Sequence, residues 1–125
     1  MREIGFRGLS IEDNDWVYGF FTIDDSTSYI HTIIQFDLGY TLDEIEVNPN
    51  TVGQFTGLKD KNGIKIYEGD VVKYKVETFN GNRIELDERI DSVFYDIEQC
   101  IMNPLVMSNE YEVIGNIYQN PELLK

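Results

Sequence analysis

Histidine and cysteine occur once each in this 125-residue sequence, as His31 and Cys100, and proline occurs three times. A single cysteine excludes an internal disulfide framework and any zinc site built on a cysteine cluster. A single histidine removes multi-histidine metal sites and the usual catalytic triad. Basic residues are also scarce: ten Lys and Arg stand against 23 Asp and Glu, a net charge of −13. That balance argues against direct binding to DNA or RNA, which needs cations to displace condensed counterions. No apolar run approaches the ~18 residues of a membrane span. The opening Met1-Arg2-Glu3-Ile4-Gly5 lacks the apolar core of a signal peptide. The expectation is an acidic cytoplasmic protein with no cofactor, no metal, no membrane and no direct nucleic-acid partner.

Hydrophobic residues make up 42% of the chain, with eight Tyr, seven Phe and one Trp. A chain of this size and content buries roughly two-thirds of its unfolded surface, so a single domain over 1–125 is expected. No repeat, low-complexity tract or Pro/Ser-rich linker divides it. Each proline follows an asparagine (Asn48-Pro49, Asn103-Pro104, Asn120-Pro121), a pairing that favours turns.

The dominant period is two. Apolar and charged residues alternate through Val72-Lys73-Tyr74-Lys75-Val76-Glu77 and through Ile84-Glu85-Leu86-Asp87, as on strands with one buried face. Asn80-Gly81 between them predicts a hairpin joining strands 71–79 and 84–90. Tyr29 to Leu38 reads as a strand, with Ile30, Thr32, Ile34, Phe36 and Leu38 on one face. Trp16 to Phe21 is apolar on both faces, as a central strand would be, and Tyr111 to Tyr118 forms the last strand. Helix signals are few. Thr41-Leu42-Asp43-Glu44 fits a capping box opening a turn or two, ended by Asn48-Pro49. Ile90 to Met102 fits a strand pair or one short helix, with strand favoured over 92–97. Residues 120–125 read as a tail or a single helical turn. The fold class expected is mainly β, with at most one or two short helices.

Candidate chemistry is sparse. His31 faces away from Ile30, Thr32 and Ile34 on its strand and reads as an ordinary strand histidine. Cys100, followed by Ile101 and Met102, reads as a buried structural thiol. Acidic clusters at Glu12-Asp13-Asn14-Asp15, Asp24-Asp25, Asp43-Glu44 and Asp87-Glu88 read as solvated loops. The first lacks the glycine and glutamate that a calcium loop requires. Gly57 to Gly63 lacks the Gly-Lys-Ser/Thr ending of a phosphate-gripping loop and reads as a tight Asn-Gly turn. Around it, Lys59, Lys61, Lys65, Lys73 and Lys75 outnumber Asp60, Glu68 and Asp70, a basic island in an acidic chain. The candidate ligand site is therefore Lys59, Lys61 and Lys65 for charge, with Arg2 and Arg7 expected nearby. Trp16, Tyr18 or Tyr67 would be the stacking platform. No catalytic residues are assigned.

Three segments carry a resemblance. Met1 to Gly8 is similar to the opening of the YopX family of phage and prophage proteins, departing from it at Gly5 and Gly8-Leu9. Gln54-Phe55-Thr56-Gly57-Leu58-Lys59-Asp60-Lys61-Asn62-Gly63-Ile64-Lys65-Ile66-Tyr67-Glu68-Gly69-Asp70-Val71-Val72 resembles the family's central signature. Tyr111-Glu112-Val113-Ile114-Gly115-Asn116-Ile117-Tyr118-Gln119-Asn120-Pro121-Glu122-Leu123-Leu124 resembles its C-terminal one. Residues 77–109 carry no part of this resemblance. The resemblance implies a phage or prophage product of low-GC Gram-positive bacteria. It also implies a small SH3-like β-barrel, here spanning 52–118, after additional N-terminal strands and before a 119–125 tail. It implies no activity, since the family's function is unknown.

Four function classes follow. The first is a non-enzymatic accessory protein that binds a host protein or small anionic ligand, as in counter-defence. The second is an acidic DNA mimic, which needs carboxylates in rows on one face. The third is an enzyme using carboxylates alone. The fourth is a structural module whose strand edges pair between subunits into a homo-oligomer.

Overall fold

The structure is a computed structural model that describes residues 5–24, 26–36, 39–96, 101–105 and 110–124. The chain divides into two compact units, Met1–Phe55 and Thr56–Lys125.

The N-terminal unit is an antiparallel sheet in the order β4-β3-β2-β1-β5. Its strands are β1 (Phe6–Leu9), β2 (Trp16–Asp24), β3 (Thr27–Phe36), β4 (Gly39–Glu46) and the first residues of β5 (Gly53–Lys59). β2 is interior in the sheet order, with Trp16–Gly19 paired to β1 and Phe20–Asp24 to β3. The burial of both faces expected of Trp16–Phe21 fails at Tyr18 and Phe20, which are exposed. Leu9, Ile30 and Val47 are buried. Ile30 is one of the five residues assigned to the apolar face of the third strand; Leu38 lies outside the described residues.

The capping box at Thr41-Leu42-Asp43-Glu44 does not open a helix. These residues sit in β4, paired with β3 from Tyr29↔Glu46 to Phe36↔Gly39. A capping signal contributes about 1 kcal/mol, and a continuous ladder with Ile30 opposite Ile45 outweighs it. The cap lies further on. Asn48 accepts a hydrogen bond from the Asn50 N–H at 3.1 Å and opens a short 3-10 turn, Pro49–Thr51. Thr51 Oγ in turn accepts from the buried Leu9 N–H at 2.9 Å.

The C-terminal unit contains the remainder of β5, β6 (Lys65–Tyr67), β7 (Asp70–Asn80), β8 (Arg83–Ser92), β9 (Phe94–Asp96), β10 (Ile101–Asn103) and β11 (Tyr111–Asn116). β11, β7 and β8 form one sheet in that order, and β9 pairs with β10. The stretch 90–102 is thus a strand pair where it is described, and Pro121–Leu124 is a single 3-10 turn. Ile66, Val72, Tyr74, Val76, Val93, Leu105 and Tyr111 make the core. The fold is mainly β. Among the described residues no sheet returns to its first strand, so a closed SH3-like barrel is not among its features.

Two details of the β7–β8 hairpin differ from expectation. Asn80 pairs with Arg83, so the loop is Gly81-Asn82 rather than Asn80-Gly81. Gly81 has φ +66° and Asn82 is not among the positive-φ residues, the pattern of a type II′ turn with glycine first. The face carrying Ile84 and Leu86 is also not buried: both side chains are exposed, as is all of β8 from Arg83 to Asp91. β11 pairs with β7 only up to Tyr74, so the outer part of the hairpin is a two-stranded arm.

Candidate functional site

The lysine-bearing turn is fixed by a buried aspartate. Asp60 Oδ1 accepts from the N–H groups of Asn62 and Ile64 at 2.8 and 2.9 Å, and Oδ2 from Val113 of β11 at 3.0 Å. The Asp60 N–H donates to the Ile64 carbonyl at 2.7 Å, and Gly63 N–H donates back to the Asp60 carbonyl at 3.0 Å. Burial disfavours the Asp60 charge, yet those three backbone donors and nearby Lys61 together hold its carboxyl below the usual carboxylate value. The Asn-Gly turn is therefore real, and it is tied to a strand distant in sequence.

A second buried carboxylate organises the Glu68-Gly69-Asp70 step. Asp70 Oδ2 accepts from the Tyr67 N–H at 2.8 Å. Gly69 has φ +92°, and a Cβ there would lie 2.9 Å from Tyr118 Cε2. Glycine is required twice over, by conformation and by space. The turn joins three segments: Gly69 N–H donates to Val93 O, Val93 N–H to Asp70 O, and Ile117 N–H to Gly69 O.

The predicted site residues fall in two places. Lys59 and Lys61 are exposed on the Asp60 turn and Lys65 is half-buried at the start of β6. Lys61 Nζ lies 3.7 Å from Glu112 Oε2, and Lys73 Nζ lies 3.5 Å from Oε1 of the same residue. Part of the island's charge is thereby engaged within the unit. Tyr67 is 6% exposed, so its ring belongs to the interior and is not presented for stacking. Trp16 and Tyr18 belong to the N-terminal unit. Trp16 carries the Arg7 guanidinium 4.1 Å from its ring centroid. Arg7 is itself buried in that unit.

Other candidates resolve simply. Residues 12–15 form an exposed loop in which Asp13 Oδ1 accepts from the Asp15 N–H at 3.1 Å. Asp24, Asp43, Glu44, Asp87 and Glu88 are exposed as expected but lie on β2, β4 and β8 rather than in loops. His31 lies on β3 opposite Phe20 and Glu44. Cys100, Asp25 and Arg2 lie outside the described residues. Among the described residues, no three His, Cys, Asp or Glu side chains are grouped to hold a metal ion, and no helix is long and apolar enough to cross a membrane.

Sequence reasoning missed two sets of residues. The carboxylate staples Asp60 and Asp70 read only as acids diluting the basic island; their signal was position, beside an Asn-Gly and after a glycine. The exposed apolar residues were missed as well: Phe20 of β2, and Phe79, Ile84 and Leu86 of the arm.

No functionally curated protein matches this sequence. The crystal structure of protein EF1440 from Enterococcus faecalis is similar in fold, with a TM-score of 0.61 and 23% identity over 100% of both chains. The profile of a family described as YopX protein matches residues 5–125. That span takes in both longer signature segments, with the Asp60 turn, the Gly69-Asp70 step and β11 inside them. The chain belongs to the YopX family.

Proposed function

We propose that this chain is a non-enzymatic accessory protein of phage or prophage origin that acts in the cytoplasm of a bacterial host by binding a host protein. One observation carries the reading. Trp16, Tyr18 and Phe20 alternate onto one face of β2, and Tyr18 and Phe20 are 50% and 58% exposed although β2 is an interior strand of its sheet. Aromatic residues on a rigid strand are the side chains that dominate protein interfaces, because they bring large area at low entropy cost. Arg7 stacked on Trp16 stiffens one end of the stripe. The test compares wild type with a Tyr18→Ser/Phe20→Ser variant as bait in bacterial host lysate, followed by calorimetric titration of the recovered protein. The proposal expects at least tenfold weaker binding by the variant. Equal binding by both sinks it.

A second reading, capture of a small anion, is favoured by the exposure of Lys59 and Lys61 on a turn pinned by Asp60. Lys59→Glu with Lys61→Glu then abolishes anion binding and leaves a basic protein partner unaffected or faster to associate. DNA mimicry finds less support. The charged face of β8 runs Arg83, Glu85, Asp87, Arg89, Asp91, mixing signs where a mimic needs a row of one.

A further inference from the structure

We infer that the outer edge of β8 pairs antiparallel with β8 of a second copy of this chain, centred on Asp87. The hairpin is long, 11 residues of β7 against 10 of β8; it is two-stranded beyond Tyr74, and β8 is the last strand of its sheet throughout. Natural edge strands are protected by shortness, proline, a bulge or charged side chains, lysine above all; the charges of β8 are of both signs, so a second copy can pair them. β8 has no proline and no lysine, and its register with β7 runs unbroken from Ser92 to Arg83. The 3-10 turn 121–124 comes near β8, yet every residue from Arg83 to Asp91 stays exposed.

The hairpin geometry says which groups are on offer. A two-residue loop closes on a hydrogen-bonded pair, here Asn80–Arg83. By alternation, Glu85, Asp87, Arg89 and Asp91 also exchange backbone bonds with β7. The N–H and C=O groups of Ile84, Leu86, Glu88 and Ile90 therefore point away from β7, along the open edge.

The sequence of β8 selects the partner and the register. Two copies related by a two-fold axis normal to the sheet must oppose residues of equal parity, because paired residues share a face. With Asp87 opposite Asp87, Arg83 meets Asp91, Glu85 meets Arg89, Ile84 meets Ile90 and Leu86 meets Glu88. Each off-axis charge on the charged face then faces its opposite. A shift of one step either way, to centre on Leu86 or on Glu88, sets Arg83 against Arg89 or Glu85 against Asp91. The centred register also joins the two apolar faces. Phe79, Ile84 and Leu86, which are 78, 62 and 65% exposed, lie with Ile90 on one side of the β7–β8 hairpin. In the pair, that side becomes one continuous four-stranded surface. Asp87 meeting its own copy is the one like-charge contact, and Leu86 against Glu88 is the one mismatch on the apolar side, so the pairing is tunable.

The experiment uses the full chain with Cys100 replaced by Ser. Under mild oxidation, Asp87→Cys should form a disulfide-linked dimer, because opposed residues in a non-hydrogen-bonded pair have Cα atoms about 4.5 Å apart. Glu85→Cys and Arg89→Cys, each several residues from its own copy, should not. With Cys100 intact and no oxidant, sedimentation should show a dimer. Arg89→Glu should weaken it tenfold or more, Glu85→Arg in the same chain should restore it, and Asp87→Asn should strengthen it. A monomer at every concentration, or crosslinking equal at 85, 87 and 89, overturns the inference. So does a dimer indifferent to Arg89→Glu.

Discussion

Within the C-terminal unit, the turns at 60 and 69 and the hairpin arm treat polarity in opposite ways. At the turns, Asp60 and Asp70 are buried, each accepting backbone N–H donors. On the arm, Phe79, Ile84 and Leu86 stand in solvent. The usual partition is reversed in both, for different reasons. A buried carboxylate is tolerated when its oxygens satisfy donors that the turn would otherwise leave unpaired. An exposed apolar face has no such internal compensation, and its explanation must come from outside the unit. The turns therefore hold the fold, and the arm carries the apolar surface on which the proposed pairing rests.

The largest test of that division is Gly69→Val. Positive φ and the approach of Tyr118 together should cost about 3 kcal/mol in urea unfolding. A loss below ~1 kcal/mol would mean the turn relaxes freely. Next is Asp60→Asn, expected to cost about 2 kcal/mol, because an amide cannot accept from Asn62, Ile64 and Val113 at once. The Asp60 pKa is lowered in the folded state. Its stabilisation is present above the ordinary carboxylate pKa and is lost as pH falls through the lowered value. Acid titration of stability should be shallower in the variant over that window, and identical slopes would contradict the staple.

Tyr74 sharpens the comparison where the arm leaves the core. It donates to Asp91, its ring centroid is 5.2 Å from that of Tyr111, and burial first, then Asp91, push its pKa up to about 12. The neutral phenol contributes stability below the unfolded value of about 10, and this is lost as pH rises through the folded one. Tyr74→Phe should cost about 1 kcal/mol at neutral pH and remove that alkaline decline. Smallest is Leu86→Ser on the arm, expected within ~0.5 kcal/mol for the dilute monomer. A loss of 2 kcal/mol or more would mean that Leu86 is buried by its own chain.

How much could be read in advance follows from how local each feature is. The Asn62-Gly63 turn, the Gly69-Asp70 step and the alternation of β7 are short-range patterns, and they stand where the sequence puts them. β4 was hidden because a local capping signal competes with a ladder to β3 that no window of the sequence contains. The hairpin loop shifted by one residue because Asn80-Gly81-Asn82 holds both an Asn-Gly and a Gly-Asn signal, and the β7–β8 register chooses between them. Alternation at Ile84 and Leu86 marks an apolar face but cannot say whether anything covers it. The lysine island was legible as charge, whereas its contact with Glu112 depends on β11 lying beside β7.

Amide hydrogen exchange, followed across a range of protein concentrations, tests the division between turns and arm most directly. The N–H groups of Asn62, Ile64, Tyr67 and Val113, held by Asp60 and Asp70, should exchange slowly at every concentration. Those of Ile84, Leu86, Glu88 and Ile90, on the open edge of β8, should be fast when dilute and slow only as concentration rises. Uniformly fast exchange at these four sites at all concentrations, or exchange at the turns as fast as on the arm, would contradict the account.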